Sequence, residues 1–311
     1  MIKKTKKILI LGANGSIGSY FFNNLIKNYN VSGLTHKQIK NKKIFETDYK
    51  NFSKKILSEI NQADFIINCI GESNNENMMK EININILKNI SLQLNKKKKN
   101  KTFIHLSTCG VYGASNQKKE INEMTKSKYT SLYSKTKLLG EKILAKNLRG
   151  ISTLIILRPS QIIGLNMKNT SIKKLYFFIK KRIFFFVNNK NSFYSYIFAD
   201  DLLNIINHLI KSDSRDNIYN ISNKIKYYNL VKIIQNDLNQ NFSFPSISYN
   251  LIKFIIYISK KFFFIKLPIT KKNLRSMTTN NQFNSKKILN HLKIKSLIDI
   301  NSKNIKYLNN A

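Results

Sequence analysis

Residues 12–18 read Gly12-Ala13-Asn14-Gly15-Ser16-Ile17-Gly18, directly after the apolar run 7–11 and at the start of a helical pattern over about 16–27. Glycines three apart let a chain turn sharply out of a strand and bring the next helix close against it. The same turn leaves the first N–H groups of the helix free, at the positive end of its dipole, where a phosphate binds well. The spacing is G-x-x-G-x-x-G, not the commoner G-x-G-x-x-G, so its weight comes from its place in the chain. It opens an alternating series. Apolar runs at 30–34, 65–70, 102–106 and 153–157 are separated by helical patterns at about 52–60, 78–94 and 132–148. Continuous apolar runs of this length between helices predict an α/β fold with a doubly wound parallel sheet, covered on both faces.

After Gly164 the pattern changes. Helical patterns at about 171–181, 200–211, 228–239, 251–260 and 285–292 dominate, with strand-like pieces at 194–198 and 218–220. The expected division is a first domain over 1–164, to which 196–222 returns, and a smaller, mostly helical domain over 165–311. The runs 175–187 and 251–267 are rich in Phe and Ile but broken by lysines and Arg182. They are expected to be core helices with charged outer edges; peripheral association with a membrane surface is the alternative. No uncharged apolar run approaches the ~18 residues of a membrane span. The basic N-terminus meets only four apolar residues before Gly12, too few for a secretory signal, and reads as a buried first strand. Cys69 and Cys109 stand in no metal-ligand spacing and cannot build a disulfide framework. A reducing, cytoplasmic setting is expected, with no metal.

Lys plus Arg number 54 and Asp plus Glu 16, a formal charge of +38. Such a charge ordinarily points to nucleic acid. The excess is nearly all lysine, however, with arginine only at positions 149, 158, 182, 215 and 275. Readers of base edges rely on arginine forks. Abundant Asn and Ile accompany the lysine, as in chains from AT-rich coding sequence. The charge is therefore read as a solvated surface, and no specific nucleic-acid partner is expected.

The second apolar run ends Val31-Ser32-Gly33-Leu34-Thr35-His36-Lys37. A dinucleotide site that grips a ribose 2′-hydroxyl carries an acid here. None is present, and Thr35, His36 and Lys37 suit a 2′-phosphate, so NADP is favoured over NAD. Asp48, with Tyr49 beside it, is either an acceptor for an adenine amino group or an ordinary turn aspartate. Tyr133 and Lys137 stand four apart on one face of a helix. A phenol titrates near 10 and needs neighbouring positive charge to act as a base at neutral pH. With Lys137 and an oxidised nicotinamide beside it, Tyr133 can move a proton while a hydride moves at the cofactor. Ser107-Thr108-Cys109-Gly110-Val111-Tyr112-Gly113 follows the run 102–106. The carboxyl end of a central parallel strand faces the ligand crevice, and Thr108 there can bond the substrate oxygen.

Taken together, these residues resemble the extended short-chain dehydrogenase/reductases of the NAD-dependent epimerase/dehydratase, nucleotide-sugar, group. The resemblance rests on Gly12/Gly15/Gly18, Asn68-Cys69-Ile70-Gly71, Asn83, 107–113, Tyr133 with Lys137, Arg158-Pro159 with Gly164, and 197–202 with Asp201. It spans roughly residues 5–222. It implies a Rossmann-like NAD(P)-binding domain followed by a domain that holds a nucleotide sugar. Thr108, Tyr133 and Lys137 fall on the family's catalytic positions. The implied cofactor residues are Gly12, Asn14, Gly15, Ser16, Ile17, Gly18, Thr35, His36, Lys37, Asp48, Tyr49, Cys69, Ile70, Gly71, Asn83, Ser107, Tyr133, Lys137 and Arg158. The implied substrate residues are Thr108, Cys109, Gly110, Gln161, Lys190 and Arg275.

Three departures refine the reading. Cys109-Gly110 stand where 4,6-dehydratases carry Asp-Glu, which disfavours water elimination. Gln161 replaces an Asn, and the strand before Asp201 lacks the family's Arg, so either Lys190 or Arg275 is the candidate for the diphosphate grip or the substrate is not a standard UDP sugar. The acid that marks an NAD site is absent. The expected activity is hydride transfer at a sugar carbon, C4, of a nucleotide-linked sugar, in polysaccharide or sugar-nucleotide biosynthesis. An NADPH-dependent 4-keto-sugar reductase and a non-catalytic RNA-binding member of the fold are the alternatives. The resemblance also suggests a homodimer.

Overall fold

Seven apolar strands of the computed structural model run parallel in one sheet. The structure describes residues 6–37, 39–95, 101–113, 120–164, 170–188, 192–212, 215–262 and 280–305. The strands are β1 (Lys7–Leu11), β2 (Asn30–Thr35), β3 (Ile44–Glu46), β4 (Phe65–Asn68), β5 (Thr102–Leu106), β6 (Thr153–Pro159) and β10 (Asn217–Ile221), in the order β10-β6-β5-β4-β1-β2-β3. Alternation along each strand splits its side chains between two cores. Ile8, Ile10, Ile67, Ile104, Ile155 and Leu157 meet α1 (Ser16–Leu25) and α7 (Ala199–Lys211) on one face. Leu9, Leu11, Ile66, Phe103, Leu154 and Ile156 meet α2 (Lys54–Gln62), α4 (Ile86–Asn95) and α5 (Leu132–Leu148) on the other. Burial on both faces is why these strands read as continuous apolar runs. Strand β10 comes from beyond Gly164 and pairs in parallel with β6.

Two elements differ from their sequence patterns. Ser53 accepts a hydrogen bond from the Ile56 N–H and starts α2 at Lys54. The helix expected over 78–94 is α3 (Glu76–Lys80), a π turn (Glu81–Asn85) and α4. One extra residue per turn is invisible to a 3.6-residue period, and here it directs Asn83 inward.

The second half holds more strand than its sequence suggests. Strands β7 (Gln161–Ile163), β9 (Phe193–Phe198) and β11 (Asn223–Lys226) form a three-stranded sheet in the order β11-β9-β7. Strands β8 (Phe186–Val187) and β12 (Ser246–Ile247) pair separately. These pieces are too short to show a period, and their partners lie far away in the chain. They pack with α6 (Thr170–Lys180) and α8 (Tyr227–Asp237) around Tyr194, Tyr196, Phe198, Leu230 and Ile234.

The helix α9 (Tyr249–Phe262) corrects the expectation of a charged outer edge. Its Ile252 packs on Val187, while Leu251, Phe254 and Ile255 are 51%, 58% and 46% exposed. Among the described residues no helix is long and apolar enough to cross a membrane. A last helix, α10 (Lys286–Leu292), seals β10 with Ile288 and Leu292.

Candidate active site

The glycine turn sits at the carboxyl edge of the sheet, between β1 and β2. Gly12 has a φ of +76°, a conformation that L side chains rarely adopt. The Gly12 and Ala13 N–H groups donate to the Leu34 carbonyl at 2.9 and 3.0 Å, which ties the turn to the end of β2. A Cβ on Gly18 would stand 2.1 Å from the Gly12 carbonyl oxygen, so only glycine lets α1 approach this closely. Gly15 caps α1 with no side-chain bond, and Asn14 and Gly15 are exposed. The N–H groups of Ser16, Ile17 and Gly18 thus face the crevice with no helical acceptor and with the dipole behind them. This cradle fits a dinucleotide pyrophosphate. Thr35 is buried and accepts from the Lys37 N–H at 3.3 Å, while His36 and Lys37 are exposed beside the turn.

Thr108, Tyr133 and Lys137 come from two elements packed together. Ser131 caps α5, its Oγ accepting from the Ser134 N–H at 3.1 Å. Tyr133 and Lys137 follow one turn apart on the same side of α5. The Lys137 Nζ is buried and donates to the Leu106 carbonyl at the end of β5, at 2.6 Å. Thr108 stands two residues past that carbonyl and starts a 3-10 turn (Cys109–Tyr112), its Oγ1 accepting from the Gly110 N–H at 3.0 Å. Gly110 rests on α5: a Cβ there would stand 2.8 Å from the Ser134 Oγ. A Cβ on Gly71 would stand 3.7 Å from the Lys137 Nζ, so the loop after β4 closes the other side. These are the parts of an acid–base site facing a phosphate cradle.

A sequence model of the NAD dependent epimerase/dehydratase family matches residues 8–222. The chain belongs to this family. It is 28% identical over 291 residues to the bifunctional polymyxin resistance protein ArnA of Wigglesworthia glossinidia brevipalpis, covering 80% of this chain and 44% of that protein. The chain thus spans less than half of that curated relative. Its fold matches the UDP-glucuronic acid 4-epimerase of Bacillus cereus in complex with NAD, with a TM-score of 0.73 at 16% identity, over 97% of this chain and 94% of that one. It also matches RMD of Pseudomonas aeruginosa complexed with NADPH, with a TM-score of 0.69 at 13% identity, over 98% and 96%. The ADP-L-glycero-D-manno-heptose-6-epimerase of Helicobacter pylori gives 0.70 at 16%, over 98% and 96%.

In this epimerase/dehydratase chain several expected ligand residues do structural work instead. Arg158 is buried and its guanidinium grips Glu141, Nε to Oε1 at 3.0 Å and Nη2 to Oε2 at 2.6 Å. Its Nη1 donates to the Tyr112 hydroxyl at 2.8 Å, and that hydroxyl donates to the Asn220 Oδ1 at 2.8 Å. The Ser107 hydroxyl donates to the Glu141 Oε1. Arg158 and Ser107, expected as cofactor ligands, are members of a buried network in this structure. Cys109 is buried beside Val111, Tyr112 and Phe283, and its Sγ donates to the Arg158 carbonyl at 2.9 Å. Burial pushes its thiol well up.

Tyr49 is likewise corrected: it is buried, and its hydroxyl accepts from the Gly12 N–H at 3.2 Å, bracing the turn from below. The Asp48 carboxylate accepts the Lys50 and Asn51 N–H groups, both at 2.9 Å, which hold it below the usual range. Of the two readings of Asp48, the structure displays the turn. Asn83 uses every polar group it has: Oδ1 accepts from the Glu72 N–H at 2.9 Å, and Nδ2 donates to the Glu72 carbonyl and the Thr136 Oγ1. It ties the loop of Gly71 to α5. Cys69 and Ile70 are half-buried in that loop, and burial pushes the Cys69 thiol well up. Gln161 is exposed on β7 and accepts from the Tyr194 hydroxyl at 2.7 Å. Lys190 and Arg275 lie outside the described residues.

Burial also sets the titration of the central pair. It pushes the Tyr133 phenol up to about 12 and the Lys137 ammonium down to about 8, the latter against the pull of Glu141. The phenol is therefore neutral at pH 7 in the ligand-free protein, and the phenolate expected from the sequence needs the second positive charge beside Lys137. The buried Lys137 also costs stability. Its ordinary pKa is 10.5 and its folded value is about 8. Between these values the unfolded chain binds more protons, so this contribution to stability rises with pH. Lys137→Met should raise stability at pH 7 by about 1–3 kcal/mol. That gain should shrink as pH rises from about 8 to 10.5. Urea denaturation of both proteins across this range checks it; a gain that does not change with pH overturns it.

Proposed function

We propose that this chain transfers a hydride, with NAD(P), at the C4 carbon of a nucleotide-linked sugar. What supports the reading is Lys137, one turn after Tyr133 on α5, donating to the Leu106 carbonyl two residues before Thr108, at the sheet edge from which the uncapped N-terminus of α1 also starts. The dinucleotide, when bound, supplies the hydride acceptor or donor and, when oxidised, a positive charge. The Tyr133 phenol exchanges a proton with the sugar oxygen. Thr108, two residues past the Leu106 carbonyl that holds Lys137, orients that oxygen. Lys137, fixed on the Leu106 carbonyl, favours the phenolate once a second positive charge is present. Gly110, in place of a side-chain acid, supplies no group for elimination of water.

Two directions fit this set. An epimerase returns the hydride to the opposite face of a 4-keto sugar; a reductase draws on NADPH. The absence of an acid at the end of β2, with His36 and Lys37 exposed there, favours NADPH and the reductase. Fluorescence titration with NADH and NADPH tests it. Lys37→Ala should weaken NADPH by about tenfold and leave NADH unchanged, since only the 2′-phosphate needs the cation. Equal loss for both cofactors, or for neither, refutes the assignment. Proton NMR of UDP-glucuronic acid incubated with the protein and either oxidised cofactor then tests the chemistry. A C4 epimer or a 4-keto product supports it; an unchanged spectrum with both cofactors counts against that substrate class.

A further inference from the structure

We propose that the outward stripe of α9 docks on an anionic lipid surface. Leu251, Phe254 and Ile255 stand at positions i, i+3 and i+4, so they form one continuous strip along the helix. All three are about half exposed or more, while Ile252 on the opposite side is buried. A helix that buries one apolar side in the protein and shows another to solvent marks a contact surface.

Charge selects the occupant. There is no Asp or Glu between Glu141 and Asp200, nor between Asp237 and Asp299. Those stretches contain α6, β8, β12 and α9, the elements around the stripe. Lys253 neighbours Phe254 on α9, turned about 100° from it round the helix, and is exposed, as are Lys180, Lys181 and Arg182 at the end of α6, next to β8. Apolar side chains flanked by cations match the interface of an anionic bilayer; the acid nearest α6, Asp237, is taken up by the Tyr176 hydroxyl. A second copy of the chain would bring the same charge of +38 against this face. The membrane contact would hold the enzyme at the surface without spanning it and does not depend on the chemistry at Tyr133.

The chain contains no tryptophan, so Phe254→Trp puts a single reporter on the stripe. With vesicles of phosphatidylcholine containing one-third phosphatidylglycerol, its emission should move to shorter wavelength and the protein should sediment with the vesicles. Phosphatidylcholine alone should give neither. Phe254→Ser combined with Ile255→Ser should lower the vesicle-bound fraction by about tenfold or more. Sedimentation without an emission shift, or unaffected by the two serines, would assign binding to basic charge elsewhere and overturn the proposal. Emission already at short wavelength in buffer and unmoved by vesicles would also overturn it. Light scattering would then tell a second copy from cover by residues 263–279.

Discussion

Tyr133→Phe should give a folded protein that binds NADH and NADPH as the parent does and turns over about 10²–10⁴-fold more slowly. The size follows from the role: a positioned acid–base group contributes that much when its proton must move with the hydride. The clean separation from stability follows from the structure. Tyr133 is half-buried, and none of the hydrogen bonds among the described residues uses its hydroxyl. Removing that oxygen breaks nothing internal, so thermal unfolding should stay within the small range of neutral substitutions. The ring still fills its place above α5. Cofactor titration, unfolding and turnover measured on one preparation decide the matter. Full turnover would remove Tyr133 from the chemistry. Lost turnover with lost cofactor binding or lost stability would make it a structural residue instead.

The same comparison explains why a phenol held at about 12 serves here. A group that ionised in the empty site would need charge beside it permanently, and Lys137 is kept weak by burial, near 8. The site therefore becomes a base only when positive charge arrives with the ligand. In the reductive direction the neutral phenol is already the acid that is needed.

The sheet was legible because burial on both faces writes itself as unbroken apolar runs, and the glycine turn because only glycine tolerates both a φ of +76° and the approach of Gly18. Tyr133 and Lys137 were legible by helical spacing. What the sequence hid was direction. Arg158, Ser107 and Asn83 occupy positions that the family resemblance assigns to ligands, yet each is bonded to a protein partner on another element. No spacing rule shows that Arg158 meets Glu141 across a strand and a helix, or that a π turn rotates Asn83 inward. Glu141 left one trace: in a chain with only 16 acids it sits among Leu138, Gly140 and Leu144, on the buried side of α5. An acid kept on an apolar face needs a partner.

That partner makes the second large prediction. Arg158→Met should destabilise the protein by about 3–5 kcal/mol, because it leaves the Glu141 carboxylate buried with only the Ser107 hydroxyl. In a chain of this size, the melting temperature should fall by roughly 10 °C. Adding Glu141→Leu to Arg158→Met should recover most of the loss, since two apolar side chains replace a desolvated pair. A double variant no more stable than Arg158→Met would show that the pair is not what the network rests on. Function gives the second readout. Glu141 stands one turn beyond Lys137 and is the main influence that keeps that ammonium charged. With Glu141 replaced, Lys137 should titrate lower still and begin to lose its charge near neutral pH. The recovered double variant should therefore be stable yet impaired, with a pH profile for turnover displaced from that of the parent. Stability restored without any change in the pH profile would confine the network to folding; a displaced profile makes it the part of the core that sets the charge beside Tyr133.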